Sequence, residues 1–115
     1  MHIQIMLFDG PRSREEVAAS ERAGRERIEP LVQAHPGLRE RLLGGLRAVG
    51  PEGAECVISI ARDEAALDEL GRLVMSSELL PGEDVALLPG PDRVERFAAV
   101  HAFGSLAGPL AELAR

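Results

Sequence analysis

No lysine, tyrosine, tryptophan, threonine or asparagine occurs in this 115-residue chain. Without lysine there is no Schiff-base chemistry and no covalent attachment of pyridoxal phosphate. The missing tyrosine and tryptophan remove a phenolic proton donor and the usual stacking platform. A single cysteine, Cys56, excludes an internal disulfide and falls far short of a zinc set. On its strand it reads as a small buried hydrophobe. No G-x-G-x-x-G follows a strand, no G-x-x-x-x-G-K exists and nothing resembles G-x-S-x-G. Nucleotide-cofactor loops and a serine-hydrolase elbow are therefore missing.

Charge of one sign is scarce as well. Thirteen arginines face 19 acidic residues, for a net charge of −6, and no dense basic run occurs. Such a chain repels a phosphate backbone, so no nucleic-acid partner is expected. No apolar run approaches the ~18–20 residues of a membrane span. The start, Met1-His2-Ile3-Gln4-Ile5, lacks the basic segment and apolar core of a signal peptide. A cytoplasmic location and no membrane partner are the expectations.

What is present is an order of elements. His2 to Phe8 alternates as a strand with Ile3, Ile5 and Leu7 on one face. Ser13 and Glu16 form a capping-box pattern ahead of a helix that carries Val17, Gly24, Ile28, Leu31, Val32 and His35 at helical spacing. Pro30 predicts a kink or a division, and His35-Pro36-Gly37 an end. Leu42 to Leu46 reads as a glycine-bent strand, or alternatively as a further helical turn. Gly50-Pro51-Glu52-Gly53 reads as a hairpin turn and Ala54 to Ala61 as the clearest strand. Asp63 caps a second helix with the stripe Ala66, Leu67, Leu70, Leu73 and Val74. Residues 78–93 are a long irregular connection, the kind that serves as a lid or binding loop. Val94 to Phe103 is the last strand, and 106–115 a short terminal helix.

This βαββαβ order predicts an α+β, ferredoxin-like domain over residues 1–104. Two helices lie on one face of a four-stranded antiparallel sheet whose first and third strands are central, and a helical tail follows over 105–115. Phe97, Ala99, His101 and Phe103 are assigned to the helix side. Met6, Phe8, Val57, Ala61, Val94, Ala98 and Val100 then form a second apolar face, which a partner sheet would bury. A homodimer joined sheet to sheet is the expectation.

The strand Ile3–Phe8, the helix ending in His35-Pro36-Gly37, the strand Cys56–Ala61, the helix start Arg62-Asp63-Glu64-Ala65-Ala66-Leu67 and the strand Val94–Phe103 together resemble the dimeric α/β-barrel superfamily. The chain is most similar to its antibiotic-biosynthesis-monooxygenase-like branch, over roughly residues 1–104. The resemblance implies a cavity between sheet and helices in each protomer, in a family of cofactor-independent monooxygenases, haem-degrading enzymes, isomerases and cyclases. The Tyr, Trp and Asn side chains that characterised monooxygenases of the branch use are absent here. Ala61 replaces the aromatic that commonly closes the third strand.

Among the remaining residues His101 is the candidate general acid or base, since an imidazole exchanges protons near neutral pH. A hydrogen-bonded core histidine is its alternative. Met6, Met75, Phe97 and Phe103 would line a pocket for a hydrophobic small molecule, aromatic or otherwise, with 78–93 as lid. Arg96 reads as a salt bridge across the dimer with Glu55 or Glu95, or as an anchor for an anionic or enolate oxygen. Gln4 and Ser59 share a face and could hydrogen-bond each other or a water. His35 reads as a helix-end cap. No cofactor is predicted, although the fold allows haem with His35 or His101 as axial ligand. Two functions follow: a homodimeric enzyme performing monooxygenase-like, isomerase or cyclase chemistry, or a non-catalytic binding or interaction module on the same scaffold.

Overall fold

A computed structural model describes residues 1–108. The chain runs β1 (His2–Phe8), a long helical segment, β2 (Leu42–Val49), β3 (Glu55–Ala61), a helix, and β4 (Arg93–Ala98). The helical segment comprises α1 (Arg14–Arg22), a π-helical stretch Ala23–Ile28, α2 (Glu29–Gln33) and α3 (Pro36–Arg41). The later helix is α4 (Glu64–Ser76). Sheet order is β2-β3-β1-β4 with every neighbouring pair antiparallel. The first and third strands are central, and the architecture is compatible with a ferredoxin-like fold.

Local chemistry places the helices. The Glu16 N–H donates to Ser13 Oγ and the Ser13 N–H to the Glu16 carboxylate, each at 3.0 Å, which completes the capping box. The backbone N–H of Ser13 holds the Glu16 carboxyl below its ordinary value. Pro30 does not split the helix. The backbone instead widens ahead of it, where Glu29 N–H bonds to Gly24 O in a π-type turn that accommodates the ring. His35 ends the long segment and starts α3, its Nδ1 accepting the Leu38 N–H at 3.2 Å. Asp63 caps α4 through the Ala66 N–H at 2.8 Å. The turn before β3 holds Glu52 at φ 59 and Gly53 at φ 78. A side chain on Gly53 would meet Arg12 O at 2.7 Å.

The core is small. Leu38, Ala61, Ala66 and Leu67 are fully enclosed, with Leu42, Leu70 and Leu73 packed around them. Residues of the 78–93 connection pack on α1 rather than arching over the sheet. Arg22 donates to Pro81 O at 2.7 Å, and Arg27 donates to Glu83 at 2.9 Å and to Ser77 Oγ at 2.6 Å.

Three expectations need correction. β4 stops at Ala98 rather than Phe103, because pairing with β1 ends at His2 opposite Ala98 and one further bond, Ala99 N–H to Met1 O. The two sheet faces are also exchanged. Gln4, Ser59, Ala61 and Glu55 are buried beneath the helices, to which Arg96, Arg47 and Glu55 bond. Phe97 instead lies opposite Ile3 on the other face. The physical reason is that the helices present Ser20, Asp68 and main-chain oxygens toward the sheet, and these need polar partners. Finally, Arg96 bonds within its own chain, so the salt bridge read across a dimer is not how it is used. The terminal helix read over 106–115 lies mostly outside the described residues.

Candidate functional site

The sequence-predicted site residues do not converge. His101 and Phe103 lie beyond β4, both exposed, with rings stacked at a centroid distance of 6.5 Å. Met75 sits in the last turn of α4 and is 86% exposed. Met6 lies on the helix-covered face, paired with Val94, whereas Phe97 is on the opposite face. Two open clefts flank α1. One, of about 400 Å³, includes Arg12, Arg14 and Glu52, and the other, of about 310 Å³, includes Arg22, Glu83 and Leu87. None of the five candidates lines either cleft.

Three polar groupings organise the covered side. Glu55, whose side chain has no exposed surface, accepts from Arg12 at 2.8 Å, from Ser20 Oγ at 2.9 and 3.1 Å, and from Arg47 Nε. Arg12 also lies over the Phe8 ring, 5.1 Å from its centroid. Both oxygens of the buried carboxylate are thus met, which is the condition for enclosing a charge without a large penalty. Composition did not signal this cluster, but alternation did. Glu55 shares its face with Val57, Ser59 and Ala61, and register puts Arg47 opposite Val57, diagonal to Glu55.

The second grouping crosses the sheet toward α4. Arg96 Nε donates to Gln4 Oε1 at 2.9 Å and Nη1 to Asp68 at 2.7 Å. Ser59 is opposite Gln4 in register, and both are buried. These are guanidinium, amide and hydroxyl groups on one face, with Met6 two residues along from Gln4. Asp68 already supplies the counter-charge to Arg96, and the grouping provides no proton-transfer pair.

The third joins α3 to α4. His35 Nε2 is 3.1 Å from Glu69, Arg41 pairs with Glu69 at 3.0 Å and with Asp63 at 2.8 Å. The Arg41 hydrogen bond and the Ala66 N–H hold the Asp63 carboxyl below its ordinary value, and Asp63 in turn raises that of Arg41. Because Nδ1 of His35 accepts a backbone N–H and Nε2 faces Glu69, both nitrogens are engaged. That leaves neither free as an axial ligand in this geometry. Among the described residues no three His, Cys, Asp or Glu side chains gather as a metal ion would require.

The sheet face away from the helices is apolar and partly exposed. Ile3, Ile5 and Leu7 of β1 stand beside Cys56, Ile58 and Ile60 of β3, flanked by Leu46 of β2 and Phe97 of β4. Leu46 is 55% and Phe97 52% exposed. Charge appears on this face only at its β4 border, as Arg93 and Glu95, 3.9 Å apart. Comparison with family models, curated proteins and solved structures finds no match for this chain. The resemblance to the antibiotic-biosynthesis-monooxygenase-like branch rests on the quoted residues alone. No helix among the described residues is long and apolar enough to cross a membrane.

Proposed function

We propose that the chain is a cytoplasmic, homodimeric interaction module in which two ferredoxin-like halves pack sheet against sheet as a dimeric α/β barrel. The observation that carries this reading is the continuous apolar face Ile3, Ile5, Leu7, Leu46, Ile58, Ile60 and Phe97 on the side of the sheet away from the helices, where Leu46 and Phe97 are more than half exposed. A monomer rarely leaves such a surface in water, and a second copy supplies a matching one. Light scattering after gel filtration tests it. The expected mass is twice the 12.3 kDa of one chain, and Ile58→Asp should leave a monomer. A monomeric wild type at ~100 μM, well above the Kd expected of a specific dimer, removes the proposal.

A second reading is turnover of a hydrophobic small molecule by monooxygenase-like, isomerase or cyclase chemistry. It draws on Arg96, which stands with Gln4 beside Met6 and could hold an anionic oxygen in place of Asp68. In this reading His101, as acid or base, and Met75, Phe97 and Phe103, as apolar contacts, lie apart from Arg96 and would have to be brought to the substrate on binding. Neither reading calls for a bound cofactor. Turnover unchanged by His101→Ala would remove the catalytic assignment.

A further inference from the structure

We propose that residues 99–103 form an arm that leaves its own sheet and lies along the open face of a second copy, carrying His101 and Phe103 with it. The inference rests on the dimeric reading and adds a specific contact to it. Its starting point is where β4 runs out of partners. The Ala99 N–H bonds to Met1 O at 3.0 Å, and among the described residues 100–103 form no further backbone bond to the sheet. Phe103 is extended, at φ −142 and ψ 170. The His101 and Phe103 rings stack on one side of the chain, as positions two apart do in an extended segment.

The arm is apolar where a solvent-facing segment should be polar. Val100 is 95% exposed and Phe103 82%, and Phe97, which begins the run, is half-exposed. From Phe97 to Gly108 there is no Asp, Glu or Arg. The central strands of the open face are equally uncharged, so the two surfaces match in kind. A charged peptide or polynucleotide would find no counter-charge on the arm, and on the face only the mutually paired Arg93 and Glu95 at its border. Phe97, two residues before the arm, stands on the open face, so arm and face are continuous.

Size points the same way. A stable dimer typically buries ~800 Å² of accessible surface per partner. A fully buried phenylalanine supplies ~150–250 Å² of such a surface, so docking Phe103 on the second copy adds a substantial share of what a stable dimer needs.

Sedimentation equilibrium of the full chain, alongside His101→Glu, Phe103→Glu and Ile58→Asp, tests the arm. Both arm positions are solvent-facing in the monomer, so the variants keep the wild-type circular dichroism. The expected result is a dimer Kd raised at least about tenfold in each arm variant. Isotope-filtered NMR of a mixed labelled and unlabelled dimer should then show contacts from the Phe103 ring to isoleucine methyls of the other copy. An unchanged Kd in both arm variants, or a dimer lacking those contacts, overturns the arm and leaves sheet-to-sheet pairing standing. A wild type as monomeric as Ile58→Asp overturns the pairing, and the arm with it.

Discussion

Ile3 and Phe97 face each other across β1 and β4 on the side of the sheet that no helix covers. An aromatic–β-branched cross-strand pair contributes about 0.2–1 kcal/mol within one chain. Its larger effect should appear between chains. The Tm of the wild type should rise with protein concentration, as mass action requires of a folded dimer. Phe97→Ala should lower Tm and flatten that dependence. Calorimetry over a hundredfold concentration range measures both, and a concentration-independent wild-type Tm contradicts the expectation.

Glu55 should be the most sensitive polar position. Replacing it with alanine leaves Arg12, already 94% enclosed, and Arg47 without their shared carboxylate. Breaking a buried pair by removing one partner costs about 3–5 kcal/mol. Urea denaturation should show that loss in Glu55→Ala. A change below about 1 kcal/mol would mean that the cluster is solvated rather than enclosed.

Stability should fall in acid through Asp63 and Glu83. Burial pushes the Glu83 carboxyl up, but the Leu80 N–H and Arg27 pull it below its ordinary 4.5. Asp63 lies below 3.8 for the reasons given above. Since both folded values are depressed, the unfolded chain binds more protons in this range and stability rises with pH. The contribution is complete above about pH 5 and lost as pH falls through the folded values. Asp63→Asn and Glu83→Gln should each flatten the acid limb of a stability–pH curve and leave its slope above pH 6 unchanged.

The Ser13 cap should be worth about 1 kcal/mol. Ser13→Ala removes the acceptor for the Glu16 N–H while leaving the sheet untouched. Hydrogen exchange in the first turn of α1 should accelerate, with Ser13→Asp restoring protection.

Legibility followed how local each signal is. The capping box, the Asp63 cap, the strand Glu55–Ala61 and the hairpin turn are written in adjacent residues, and the structure holds each of them. Strand order followed from element order. Which face the helices cover was not legible, because both faces alternate with apolar residues. The choice depends on long-range partners such as Ser20 to Glu55 and Asp68 to Arg96. The inversion moves Phe97 to the open face and Met6 beneath the helices, and alternation keeps the two on opposite sides of the sheet in either arrangement. The short helix α3 was hidden because His35-Pro36 reads as a stop, whereas the proline at N1 and His35 as cap also make it a start.

The buried Glu55 also has a consequence for how the strands find one another. A slip of one residue in β3 would turn every one of its side chains to the other face. Glu55 would then project into the aliphatic surface, away from Arg12, Ser20 and Arg47, while Ile58 and Ile60 would be driven among the polar groups under the helices. Misaligned hairpins therefore strand a charge and gain nothing in exchange. A single carboxylate acts as an index mark for the sheet, rejecting wrong alignments in a chain whose apolar alternation would otherwise tolerate them.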